Sequence, residues 1–322
     1  MDMNRRQFMQ VCGLGSLAVA FGGALAGCGS SSASEKAGSA SGSDSKLAAI
    51  KERGKLKAGV KKDVPGYGLL DTKTNKYEGL EIDLCYQVAA AVLGVSYDEA
   101  KDKELVEFTD VTPKTRGPLI DNDQLDIICA TYTITPERKK SWDFSTPYRT
   151  DSVGLLVKKD AGMKTVADLA GKVVGVSQGS TTKDAILAML KDQGVDGEPT
   201  FNEYPDYPSI KSALDAGQIQ VFSVDRSILG GYIDDTTELL DPDVKFGEQD
   251  YGIATKKGSD LSKTVDDTVN ELLDDGWIDE DSMLFGSSAS AVGVIYNTTV
   301  IPELNADWSE LADAQYKDMI AI

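Results

Sequence analysis

The sequence predicts an α/β protein built on parallel sheets, and three observations carry that prediction. Short apolar strands alternate with helical segments from Lys46 onward. Polar clusters fall directly after the strands, where the loops of such sheets converge. The chain has 322 residues, 41% of them hydrophobic, which is enough for a sizeable core in one to three domains.

The elements follow in order. Leu56-Lys57-Ala58-Gly59-Val60 reads as the first strand, and Asp83 to Leu93 as a helix with an apolar stripe. Val106-Glu107-Phe108 is a strand, Lys114 to Asn122 a helix and Asp126 to Thr131 a strand. Val173 to Val176 is a strand, Thr182 to Gln193 and Ser209 to Ala216 are helices, and Gln220 to Ser223 is a strand. This alternation implies right-handed crossovers. The clusters that follow strands are Lys61-Lys62-Asp63, Thr131-Tyr132-Thr133, Gln178 to Thr182 and Ser223-Val224-Asp225.

Composition removes whole classes of function. The chain carries 33 Lys+Arg against 52 Asp+Glu, a formal charge of −19. So acidic a surface repels nucleic acid and anionic lipid headgroups, so neither is expected as a partner. There is no histidine. That excludes Ser-His and Cys-His nucleophiles and removes the commonest general base and metal ligand. No phosphate-binding loop is present, and the glycines near Gly13 and Gly15 do not sit in a strand–turn–helix unit. No catalytic residue, metal or cofactor is expected.

Residues 1–27 read as a signal peptide. Arg5 and Arg6, in Asn4-Arg5-Arg6-Gln7-Phe8-Met9, resemble a twin-arginine export motif, and an apolar run from Val11 to Ala26 follows. That run is short and Gly-rich for a membrane span. It ends in Leu25-Ala26-Gly27-Cys28, which resembles a bacterial lipobox. The resemblance implies lipidation of Cys28. Residues 29–46 are Ser, Gly and Ala with scattered charge, so residues 28–46 read as a lipidated Cys and a flexible tether. Such a tether reaches about 25 Å root-mean-square. Cys85 and Cys129 remain in the folded part, either as two buried thiols or as a disulfide.

Seven separated motifs carry a resemblance: GVKKDVPGYGLLD, EGLEIDL, TPKTRGPLIDN, LDIICATYTITPERKKSWDFSTPY, GVSQGSTTKDA, FNEYPDYPSIKSALDAG and FSVDRSIL. In this order they resemble the polar-amino-acid family of periplasmic binding proteins, in its aspartate/glutamate-binding branch. The resemblance covers residues 46 to about 283. It implies a two-lobe type II periplasmic-binding-protein-like fold with two crossover hinge strands. Lobe 1 is expected over 46–150 plus 250–283, and lobe 2 over 151–249.

The family positions imply a set of ligand contacts. Arg138, in Thr135-Pro136-Glu137-Arg138, is expected to fork onto the α-carboxylate, as a planar guanidinium does bidentately. Pro136 suits the first turn of a helix there. The bland alternative pairs Arg138 with Glu137 or Asp143. Thr133 and Thr182 are expected on the same carboxylate, Thr182 opening a helix whose dipole favours an anion, with Ser180 and Thr181 as neighbours able to share the role. Asp225 is expected to meet the ammonium group, or else to pair with Arg226, and the Thr131 carbonyl is the second acceptor. Arg116 is expected to meet a side-chain carboxylate with Lys61 as the second cation, since two desolvated cations need an anion between them. Tyr67 and Tyr207 either cover the ligand or pack.

The resemblance implies lobe closure on an amino acid, aspartate or glutamate, and delivery to an ABC permease and ATPase by a monomer held outside the cell membrane through its lipid alone. Glutamine or another polar amino acid is the alternative ligand. A surface adhesin or sensor, and a cyclohexadienyl dehydratase-like enzyme on the same fold, are the alternative roles. Residues 284–322 depart from the pattern. They resemble a fragment of an iron- or polyamine-type binding-protein family, carried by Val294-Ile295-Tyr296-Asn297 and by Trp308 to Ile322, or else form an unrelated extension.

Overall fold

In the computed structural model, which describes residues 45–278, 295–296 and 320–321, the chain opens on helix α1 (Lys46–Arg53). The signal segment, Cys28 and nearly all of the expected tether lie outside the described residues. The last two tether residues do not stay free. Ser45 caps α1 by accepting from the Ala48 N–H, and both Ser45 and Lys46 donate to Asp260.

Next come β1 (Leu56–Val60), the antiparallel ribbon β2 (Asp63–Val64), β3 (Gly68–Asp71) and β4 (Lys76–Glu78), and then α2 (Leu80–Leu93). That helix starts three residues earlier than its apolar stripe predicts, because Gly79 turns the chain into it at φ 123°. A Cβ on Gly79 would stand 2.4 Å from the Tyr67 carbonyl oxygen, so only glycine fits this approach. After α3 (Tyr97–Asp102) and β5 (Val106–Asp110), α4 (Arg116–Asp121) leads to β6 (Ile127–Cys129). This strand ends two residues short of the predicted Thr131, whose φ of 43° is incompatible with a strand. The one-turn helix α5 (Arg138–Ser141) and β7 (Trp142–Phe144) follow. Pro136 stands in the turn before α5 rather than in its first turn.

The ten-residue strand β8 (Arg149–Lys158) then leads to β9 (Val173–Ser177), α6 (Thr182–Asp192), β10 (Thr200–Tyr204) and α7 (Tyr207–Asp215). Asp206 caps α7 from the Ser209 N–H, and Pro208 occupies its first turn, where a missing N–H costs nothing. β11 (Val221–Asp225), α8 (Arg226–Gly230), β12 (Thr237–Leu239) and β13 (Phe246–Tyr251) complete this part. The chain returns through β14 (Ala254–Lys256) and α9 (Leu261–Asp274).

Two mixed sheets result. The first has the order β5-β1-β6-β14-β7, parallel across β5-β1-β6 and antiparallel at β14. The second has the order β10-β9-β11-β8-β12, with β13 also pairing β8. β8 and β13 run antiparallel from Arg149↔Tyr251 to Val153↔Phe246 and link the two sheets, the arrangement expected of paired crossover strands. Buried apolar side chains of α2, β1 and β6 cover the first sheet. A separate apolar cluster of β8, β9 and α6 lies on the second. Cys85 on α2 and Cys129 on β6 are both buried and unbridged.

Of the tail, only a two-stranded antiparallel ladder is described, β15 (Ile295–Tyr296) with β16 (Ile320–Ala321). The remainder of 284–322 lies outside the described residues.

Candidate functional site

The carboxyl ends of β1, β6, β9 and β11 converge, because parallel strands deliver their following loops to one edge. Lys61 follows β1, Thr131 follows β6, Gln178 follows β9, and Asp225 ends β11. Eight of the ten predicted residues line one cavity: Arg116, Thr131, Thr133, Arg138, Thr181, Thr182, Tyr207 and Asp225. Pro113, Ser180 and Val224 complete its wall. The cavity is closed down to about 10 Å³, room for roughly one water. An amino acid therefore enters only if the two sides separate.

Arg138 pairs with neither Glu137 nor Asp143. Those carboxylates take Lys140 and Lys257 instead. Arg138 Nη1 donates to the Thr133 carbonyl at 2.7 Å, and Nη2 donates to the Gly179 carbonyl at 3.2 Å, across the cleft. Gly179, at φ 77°, lets the two sides approach this closely, since a Cβ there would stand 3.1 Å from the Lys114 Cα. Arg116 is buried, and its Nη1 donates to the carbonyls of Ala130 at 2.6 Å and Thr131 at 3.3 Å. Its Nε has no partner among the described residues. Neither guanidinium forms an ion pair with a described carboxylate. Both stack on Tyr132, with Cζ 3.7 Å (Arg116) and 4.7 Å (Arg138) from the ring centroid. Burial, and next the charge of Arg116, lower the Arg138 pKa to about 10.

Asp225 does not pair with Arg226, which donates to the carbonyls of Pro242 and Val244. It instead accepts from the Tyr251 hydroxyl at 2.5 Å. Burial raises its pKa to about 7, with the neighbouring Asp151 charge second, against the pull of Tyr251, Arg116 and Arg138. Thr181 stands at the start of α6 without a side-chain cap bond, and Thr182 is buried beside it.

Lys61 and Tyr67 do not line the cavity. Lys61 is buried, pairs with Asp63 at 3.1 Å and lies 4.5 Å above the Tyr207 ring. Burial lowers its pKa against the opposing pull of Asp63. A protein carboxylate thus already stands beside Lys61, the residue expected as the second cation. Tyr67 is buried, and its hydroxyl donates to Ser227 Oγ at 3.0 Å, so it joins the two sides instead of facing the cavity. Tyr207 does line the cavity, and its N–H donates to Asp63 at 3.3 Å.

Sequence reasoning missed two residues here. Gln249 on β13 is buried, and its Oε1 accepts from Thr133 Oγ1 at 2.6 Å and Thr181 Oγ1 at 2.8 Å. Nothing in the pattern Phe246 to Tyr251 marks it. Glu81 on α2 is fully buried and accepts from the Thr131 N–H and the Tyr148 hydroxyl. A signal did exist there: an acid set between Leu80 and Ile82 in a helix with an apolar stripe.

Comparison with known proteins gives a consistent result. The model of the bacterial extracellular solute-binding proteins, family 3, matches residues 56–283. The ABC transporter glutamine-binding protein GlnH of Bacillus subtilis (strain 168) is 36% identical over 258 residues, 80% of this chain and 89% of its own. The glutamate-binding protein GluB of Corynebacterium efficiens is 30% identical over 282 residues, 85% of this chain and 89% of its own. Among solved structures, the amino acid ABC transporter substrate-binding protein AbpA of Streptococcus pneumoniae, bound to L-arginine, aligns with a TM-score of 0.60 at 26% identity. It covers 71% of this chain and 93% of its own. The fold is the type II periplasmic-binding-protein fold.

Proposed function

This chain belongs to the bacterial extracellular solute-binding proteins, family 3, and on that premise we propose that it captures an acidic amino acid outside the cytoplasmic membrane and delivers it to an ABC importer. Arg138 receives the α-carboxylate, helped by Thr133, Thr181 and Thr182 at the start of α6. Asp225 and the Thr131 carbonyl receive the α-ammonium group. The observation that carries the acidic specificity is Arg116. It is a buried guanidinium that, among the described residues, has a partnerless Nε and no ion pair with a carboxylate, on the same cavity wall as the residues proposed for the two backbone charges of an amino acid. A second carboxylate on the ligand supplies what it lacks.

Closure is the proposed working motion. Lobe 1 is taken as 46–150 plus 250–283 and lobe 2 as 151–249, turning about β8 and β13. A ligand held by Arg138 and Arg116 on one side and by Thr182 and Asp225 on the other binds the closed state better than the open one, which is what shifts the population. No catalytic step is needed, and separate permease and ATPase chains use the closed form. Cys28 is proposed as the lipid attachment, so that Cys28→Ser would move the protein from the membrane fraction to the soluble one; unchanged fractionation would reject the anchor.

Glutamine is the second reading. It is favoured by the Lys61–Asp63 pair, which leaves one fewer cation for a ligand side chain, and by the name of the Bacillus relative. Titration calorimetry on the purified chain decides between the two. Tight binding of aspartate or glutamate, with glutamine measurable but about a hundredfold weaker, is the expected result. Tight glutamine binding with no response to either acid would reject the role given to Arg116.

A further inference from the structure

Thr131 is held at φ 43° on the cavity wall. A β-branched residue in the left-handed region is strained and persists only where its surroundings enforce it. The enforcing group is Glu81. Its side chain is fully buried, and Oε1 accepts both from the Thr131 N–H at 2.5 Å and from the Tyr148 hydroxyl at 2.5 Å. Tyr148 is itself fully buried and tied to β13, its N–H donating to the Tyr251 carbonyl at 2.9 Å. On the other side of Thr131, Arg116 donates to the carbonyls of residues 130 and 131. A continuous path of bonds thus runs Tyr148, Glu81, Thr131, Arg116.

Along that path three buried polar atoms have no partner among the described residues: Glu81 Oε2, Thr131 Oγ1 and Arg116 Nε. Partnerless buried polar atoms are few in native proteins, and each calls for a reason. Two of the three, Thr131 Oγ1 and Arg116 Nε, belong to residues of the cavity wall, which fits a site that keeps polar atoms in reserve for a ligand. Glu81 itself is not part of the cavity wall, so it acts through Thr131.

We propose that Glu81 is a positioning residue of the binding site: its Oε1 pins the Thr131 N–H, holds Thr131 in the left-handed conformation, and thereby aims the Thr131 carbonyl and Arg116 into the cavity. The proposal rests on reading the cavity as the amino-acid site. It requires an acceptor oxygen at position 81 but not a charge, because Oε1 accepts in either protonation state. Burial in fact raises the Glu81 pKa to about 7 despite the nearby Arg116 and Lys61.

Two variants of the intact chain test this by amide hydrogen exchange at Thr131 and by titration with glutamate and aspartate. Glu81→Leu removes the acceptor, and the expected result is Thr131 exchange and dissociation constants raised about tenfold or more. Glu81→Gln keeps the acceptor and changes either quantity by less than about threefold. In a Thr131→Gly background, where the left-handed conformation carries no strain, Glu81→Leu costs binding less than about threefold. A Thr131 amide equally protected in Glu81→Leu and wild type overturns the proposal, as does an equal loss of binding in both backgrounds. If Glu81→Leu alone fails to fold, the Thr131→Gly background supplies the folded protein, and failure there also overturns the proposal. The exchange measurement uses no ligand. A wild-type chain that binds no amino acid, yet shows the expected exchange pattern, therefore removes the proposed function and leaves the grip of Glu81 on Thr131 intact.

Discussion

Arg116 and Arg138 share one aromatic surface, their guanidinium carbons 3.7 and 4.7 Å from the Tyr132 ring centroid. Like charges this close, and buried, repel one another, and the π face offsets only part of that cost. The main-chain carbonyls that both arginines reach neutralise neither charge. The pair is therefore poised to gain from any ligand that brings carboxylates.

The two arginines should separate by ligand. Arg138→Ala should weaken every amino acid the protein binds by at least about a hundredfold, since it strands the common α-carboxylate. Arg116→Met should weaken aspartate and glutamate by about a hundredfold and glutamine by less than tenfold. Titration of both variants with all three ligands checks this. Equal loss of glutamate and glutamine in Arg116→Met would remove Arg116 as a specificity residue.

Acid should weaken binding. Asp225 has a pKa near 7 without ligand, and an ammonium group beside it favours the ionised form. Affinity is then full above that value and falls by up to about tenfold per unit as pH drops below it. Binding should release protons near neutral pH, measurable by calorimetry in buffers of different ionisation heat. The sign for folding is opposite. A carboxyl whose folded pKa is raised above its unfolded value favours folding most at low pH, and that contribution is lost as pH rises through the folded value. Asp225 and Glu81, both near 7, should each lower the stability of the ligand-free protein between about pH 4 and pH 7. Thermal melts across that range should fall for wild type and fall less for Asp225→Asn.

Gln249 should act on closure more than on affinity. Its Oε1 takes one hydroxyl from Thr133 and one from Thr181, two bonds worth about 1 kcal/mol each. Gln249→Leu should shift the ligand-free protein toward the open form, seen as a larger radius of gyration in solution scattering. Ligand binding should change by less than about tenfold, because a carboxylate offers the same hydroxyls a substitute acceptor. An unchanged ligand-free radius with a large loss of affinity would show the reverse division of roles.

Much of the site could be read along the chain because the fold delivers strand ends to one edge. Residues just after predicted strands, such as Thr131, Thr133, Thr182 and Asp225, were therefore identifiable without knowing their neighbours. Arg116 and Arg138 were identifiable by motif. Lys61 sits at a strand end too, yet its pairing with Asp63, two residues on, is a side-chain contact that the strand pattern does not announce. Tyr67 lies in the ribbon that reaches Ser227, a contact 160 residues distant that no local pattern announces.

The α/β class, several of the strands and helices, and the chemistry available were legible along the chain: two arginines, threonines and an aspartate at strand and helix ends, with no histidine. Those follow from periodicity and residue type, which are local. Which charges are already met, and which are not, follows from the packing of distant segments. Asp63 answers Lys61, Tyr251 holds Asp225, Glu81 grips Thr131, and Arg116 Nε has no partner among the described residues. Whether a buried charge has a partner depends on distances of about 3 Å between segments far apart in the chain, and that is fixed when the lobes pack.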